Sequence, residues 1–111
     1  MTVIDATDAN FEELLSQHPK AVVKYYADWC GHCRLLAPYY AWLAAQPQFQ
    51  GLTFLRVNAE TNPLARHRGR VNNLPFFAAF QQGQLLNFLS TTHKQNIDEL
   101  AESLAAVTLP A

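Results

Sequence analysis

The residues that most restrict the fold of this chain run from Ala21 to Cys33. Ala21 to Ala27 is a short run of β-branched and aromatic residues, broken only by Lys24, and too short to be a helix of its own. A run that is apolar on both faces suits a central strand of a parallel sheet, with helices covering each side. It passes directly into Asp28-Trp29-Cys30-Gly31-His32-Cys33, after which Leu36, Tyr40 and Leu43 recur at helical spacing. A strand that turns straight into a helix sets the junction residues where free backbone N–H groups and the helix dipole favour negative charge.

Around this unit, short strands and helices alternate. Asn10 and Glu13 have capping-box spacing ahead of Phe11, Leu14 and Leu15, which predicts a first helix ending before Pro19. Pro38 falls inside the second helical stripe and predicts a kink. Leu52 to Val57 reads as a second apolar strand, and Asn62-Pro63 as the start of a short third helix through Arg68. Phe76 to Phe80 and Leu85 to Leu89 flank Gln81-Gln82-Gly83-Gln84, a hairpin signal. Thr92 and Gln95 predict the cap of a last helix, whose Ile97, Leu100, Ala101 and Leu104 share one face. A short strand is expected at Val3-Ile4. No repeat or linker interrupts the 111 residues, so a single domain over 1–111 is expected. Half of the residues are hydrophobic and 15% are charged, enough apolar material for one core. The element order argues for an α/β protein with a mixed sheet and helices on both faces.

Cys30 and Cys33 are the chain's two cysteines. A bridge across so short a loop removes little chain entropy, so the pair reads as chemical rather than structural. Cys30, at the strand-to-helix junction, is the expected nucleophile, because a thiolate is favoured there. Cys33, one turn further on, is within reach to attack a mixed disulfide and release the product. A closed zinc site needs about four ligands. His18, His67 and His93 are scattered, and His32 lies inside the cysteine loop. Neither a metal nor an organic cofactor is therefore expected; the redox-active disulfide is the working group.

Tyr25-Tyr26-Ala27-Asp28-Trp29-Cys30-Gly31-His32-Cys33 resembles the active-site segment of the thioredoxin superfamily. Asn58 to Pro63, Asn72-Asn73-Leu74-Pro75 and the hairpin after them resemble it too, in the same order, so the likeness covers nearly the whole chain. The resemblance implies the thioredoxin fold, a central mixed sheet flanked by four helices, with the active site at the N-terminus of the second helix. It also implies a cis Leu74–Pro75 peptide beside the cysteines, with Leu74, Pro75 and Phe76 helping to bind the substrate chain, and Trp29 covering the site.

Three departures bear on chemistry. Gly31-His32 stands where thioredoxins have Gly-Pro, and matches the pair of protein disulfide isomerases. A histidine near Cys30 can stabilise the thiolate and so make the disulfide a stronger oxidant; the family's reference potentials differ by about 90 mV, or about 4 kcal/mol. Lys24 occupies the position of a buried acid, and Arg56 that of its basic neighbour, which predicts a doubly cationic pair. Lys24 can be neutral, compensated by Glu60 or another acid, or snorkel outward. Phe76 stands in place of a common threonine and Ser90 in place of a glycine, so bulk at the docking groove is expected to alter partner choice. Arg66, His67, Arg68 and Arg70 read as a solvated helix face, or as a steering patch for acidic partners. Trp42 is expected to pack, and Tyr25, Tyr26, Phe77 and Phe80 to lie in the core.

The expected function is thiol–disulfide exchange with protein disulfides or dithiols, by a monomer that another protein, a reductase or an oxidase, resets. A more oxidising disulfide oxidase or isomerase is one alternative, and a non-catalytic thioredoxin-like interaction module another. A net charge of -1 and the lack of a long apolar run predict neither nucleic-acid nor membrane binding. Met1 to Asn10 carries two aspartates and no basic residue, unlike a secretory leader, so a cytoplasmic location is expected unless a leader was trimmed.

Overall fold

The computed structural model describes residues 3–109. Its organising element is the strand β2, Lys20–Tyr26, whose residues alternate between two helical layers. Val22 and Lys24 point to one face, and Ala21, Val23 and Tyr25 to the other. With β1 (Ile4–Ala6), β3 (Thr53–Asn58), β4 (Phe76–Gln81) and β5 (Gln84–Ser90) it forms a single sheet in the order β1-β3-β2-β4-β5. The β1–β3 and β3–β2 pairings are parallel, whereas β4 runs antiparallel to both β2 and β5. This is the mixed sheet that the sequence predicts.

The helices α1 (Phe11–Gln17), α2 (Gly31–Ala44), α3 (Pro63–Arg68) and α4 (Lys94–Ala105) divide between the two faces. Leu36, Tyr40 and Leu43 of α2 and Ile97, Leu100 and Leu104 of α4 pack on Val22, Phe54 and Phe77. Phe11 and Leu15 of α1 and Ala65 of α3 pack on Leu55, Val57, Phe76 and Phe80. The Tyr40 hydroxyl lies 3.0 Å from the Val22 carbonyl and 2.8 Å from that of Leu55, bridging β2 and β3 under α2. Helix α2 continues through Pro38 to Ala44. The β4–β5 hairpin turns on Gln82 and Gly83, with φ of 49° and 77°. Positive φ at both central residues is the two-residue turn whose twist matches that of the strands.

Local capping differs from expectation at three helices. Asn10 does not form a box with Glu13; its Oδ1 accepts the Thr7 N–H at 2.7 Å. The last helix begins at Lys94, and Thr91 rather than Thr92 organises its entry, accepting from His93 N–H and Asn96 Nδ2. Asn62 precedes α3 without capping it. Instead the Asp8 carboxylate accepts from Leu64 N–H at 3.2 Å and Ala65 N–H at 2.8 Å, while Asn62 Oδ1 accepts from Asp8 N–H at 2.9 Å. This exchange ties the loop after β1 to the start of α3. Asp8→Ala removes two charge-assisted bonds to free helix donors. It should cost about 1 kcal/mol of stability by chemical denaturation, the usual loss on deleting a cap.

Candidate active site

The turn from β2 into α2 makes Cys30 the N-cap residue, with extended backbone and its carbonyl already receiving Arg34 N–H at 3.2 Å. Its Sγ accepts the Cys33 backbone N–H at 3.2 Å, one of the donors that the first turn of a helix leaves unpaired. Sulfur therefore does here what a Ser or Asp oxygen does at an ordinary cap, and negative charge on it is stabilised by that donor and by the helix dipole. Cys30 and Cys33 form a disulfide with Cα atoms 5.2 Å apart. Cys30 is 5% exposed and Cys33 is 2% exposed, so both are buried in this oxidised form. Ala27, Tyr26 and Leu74 pack around the pair.

Leu74–Pro75 is cis, as the resemblance implies. Leu74 lies against the cysteines and Pro75 is buried beside it. The Pro75 carbonyl is held by Ser90 Oγ at 2.9 Å and by Thr91 N–H at 3.3 Å, so Ser90 fastens the proline loop to β5. Trp29 is 65% exposed next to Cys30, and Gly31 and His32 also face solvent. Phe76, expected to enlarge the docking groove, points inward instead. Strand alternation sends its ring to the α1–α3 face, against Tyr25 and Phe88 with centroids 6.1 and 5.9 Å away. Its side chain fills the core rather than the groove.

Lys24 neither snorkels nor pairs with Glu60. It is 4% exposed, and its Nζ donates to the Cys33 carbonyl at 2.9 Å, over the Tyr40 ring. Arg56 is its register partner on β3, and the Arg56 guanidinium reaches outward to form an ion pair with Asp5 of β1. Asp5 is the compensating acid that the sequence left unidentified, and it neutralises the arginine alone. The hydrogen bond from Arg56, with its charge, holds the Asp5 carboxyl below its ordinary range, and Asp5 raises Arg56 in return. Burial first, and the nearby Arg56 charge second, lower the pKa of Lys24 to about 8. Lys24 is thus the buried member of the pair, and Arg56 is the one balanced by a carboxylate.

The basic run before the proline loop is only partly a solvated face. Arg68 forms a two-pronged bond to Glu12 at 2.8 and 3.1 Å and a third to the Gly83 carbonyl at 2.8 Å, joining α3 to α1 and the hairpin. Arg66, His67 and Arg70 are exposed. Tyr25, Phe77 and Phe80 are buried as expected, whereas Tyr26 is half-buried under Arg56. Trp42 lies mostly outside the core, stacked on Tyr39 with centroids 5.5 Å apart. Asp28 and Arg34 were not singled out from the sequence, yet both line the cavity beside Cys33. Their nearness to Cys30 in the chain was the available signal.

A cysteine pair at a helix N-terminus, a neighbouring cis-proline and a β1-β3-β2-β4-β5 mixed sheet occur together here. Residues 2–106 match the thioredoxin family. The chain belongs to that family. It is 37% identical over 106 residues to protein disulfide-isomerase of Gallus gallus, across 93% of this chain and 20% of that protein. It is 24% identical to thioredoxin 1 of Plasmodium falciparum, across 96% of this chain and 100% of that one. The chain thus spans about a fifth of the isomerase and the full length of the thioredoxin. The thioredoxin of Malassezia sympodialis superposes with a TM-score of 0.87 at 17% identity, covering 95% of this chain and 92% of that one. Family membership and the bonded Cys-x-x-Cys pair make this domain a thiol–disulfide oxidoreductase, and the interaction-module reading is not favoured.

Proposed function

We propose that the domain exchanges its dithiol with disulfides of partner proteins, Cys30 attacking and Cys33 resolving. The observation that carries this reading is the Cys30 sulfur at the α2 N-cap, accepting the Cys33 N–H at 3.2 Å. In the reduced domain the Cys30 thiolate attacks a partner disulfide, forming a mixed disulfide and releasing one partner thiolate. Cys33, as thiolate, then attacks the Cys30 sulfur. The Cys30–Cys33 bond re-forms, the second partner thiolate leaves, and two electrons have passed to the partner. A second protein, reductase or oxidase, resets the pair, and no cofactor beyond the sulfurs takes part. Leu74, packed against the cysteines and followed by the cis-proline, offers the partner chain a place to lie, and the exposed Trp29 ring precedes Cys30 in the chain.

The test is turnover. Catalytic amounts of the domain, with excess small dithiol, should speed reduction of an unstructured protein's disulfide well above the dithiol alone. Alkylating both cysteines of the reduced domain should remove the acceleration. A domain whose alkylated form performs as well as the untreated one would overturn the proposal.

A further inference from the structure

The cavity beside Cys33 has about 160 Å³ of space, and its walls are cationic: Lys24, Arg34 and Arg56 against one carboxylate, Asp28. Arg56 is balanced by Asp5, and the Arg34 guanidinium donates to the Asp28 backbone carbonyl. Among the described residues, Lys24 makes no ion pair. Its buried ammonium has the Cys33 carbonyl and the face of Tyr40 for company. From β3 it faces Arg56, from α2 Cys33, Arg34 and Tyr40, from the end of β2 Tyr26, and from the turn between β2 and α2 Asp28. On β4 its register partner is Phe77, and α4 turns Ile97, Leu100 and Leu104 to this layer, none of them charged. A buried cation so poorly compensated makes an anion appearing next to it unusually favourable.

The exchange chemistry creates such an anion. When a partner thiolate attacks the Cys30 sulfur of the oxidised domain, the Cys30–Cys33 bond breaks and its electron pair leaves on Cys33 as thiolate. We propose that Lys24 is the charge partner of that leaving thiolate and biases this domain towards oxidising partner dithiols. The second partner thiol, having lost its proton to solvent, then attacks the partner sulfur of the mixed disulfide and releases Cys30 as thiolate. The partner has lost two electrons and the domain holds both. A more acidic leaving thiol departs faster, and stabilising the reduced form makes the disulfide the stronger oxidant. The Lys24 Nζ is directed at the Cys33 carbonyl, which leaves it placed to act as a charge beside the cysteine turn. Lys24 is thus a positioning residue for charge, held to the cysteine turn through the Cys33 carbonyl.

This inference rests on the exchange reading, and its test is chosen to fail separately. In Cys30→Ser, Cys33 is the remaining thiol, and its thiolate absorbance reports its titration directly. Adding Lys24→Met, close in volume and uncharged, should move that midpoint up by about one to two pH units, the usual effect of an adjacent opposite charge. With both cysteines present, Lys24→Met should hold several-fold more disulfide than wild type in the same glutathione buffer. Lys24→Gln serves as the second neutral variant if Lys24→Met does not fold. An unchanged Cys33 midpoint and unchanged glutathione equilibrium in a folded neutral variant would overturn the inference while leaving exchange intact. A wild-type domain with no exchange at all would overturn both readings.

Discussion

Cys33→Ser should turn the domain into a trap, capturing partner proteins through Cys30 and failing to release them. The features that make Cys30 reactive survive the substitution. Its place at the α2 N-cap is set by backbone, and the donor to its sulfur is the backbone N–H of residue 33, which serine retains. What disappears is the only sulfur within reach to resolve the adduct. A hydroxyl cannot form the second disulfide. Mixed disulfides with a protein substrate should accumulate on non-reducing gels, and turnover should fall by roughly two orders of magnitude or more. Cys30→Ser should give no such adducts, since it removes the sulfur that the α2 N-cap activates. Equal capture by the two serine variants would show that the roles of the two cysteines have been assigned wrongly.

That experiment concerns the part of the molecule most legible in the sequence, and the reason is locality. Strand, cap and helix follow one another within Ala21–Leu43, so each is fixed by residues a few positions apart. The spacing of Cys30 and Cys33 is itself a statement of geometry once the helix is placed. The Leu74–Pro75 peptide was legible only through family resemblance, because periodicity says nothing about its isomer. Interactions spanning fifty or more residues were hidden. Asp5 meets Arg56 because β1 lies beside β3 in one particular register, and Asp8 caps α3 because the loop after β1 passes its first turn. Neither register leaves a mark on local periodicity.

Lys24 and Phe76 show the same limit at the site. Alternation along β2 places Lys24 on the α2 side, but its burial depends on how closely the first turn of α2 lies over the strand's end. The 2.9 Å bond to the Cys33 carbonyl records that closeness. For Phe76 the deciding fact is parity. One residue of slip in β4 would have exchanged the layers that Phe76 and Phe77 enter. Side-chain identity was therefore readable as chemistry at both positions, whereas side-chain direction awaited the pairing of strands.

Gly69→Ala should be the most damaging of the small substitutions, although nothing about its backbone requires glycine. Gly69 closes α3 with φ of -87°, a value any residue adopts. The demand is for space. A Cβ there would lie 2.6 Å from the Tyr25 hydroxyl oxygen and 2.7 Å from two carbons of its ring. Tyr25 cannot easily give way, because it is fully buried, lies edge-on to Phe76, and donates its hydroxyl to the Ala65 carbonyl at 2.8 Å. Either that bond breaks inside the core, or α3 lifts and takes the loop to Leu74 with it. Overpacking of this kind costs about 2 kcal/mol, which lowers Tm by roughly 10 °C for a domain of this size. Because Leu74 lies against the cysteines, exchange with protein substrates should weaken along with stability. Gly51→Ala is the control, since a Cβ there meets nothing within 4 Å and should change Tm little. Equal melting temperatures for the two variants would mean that Tyr25 is not the rigid wall described here.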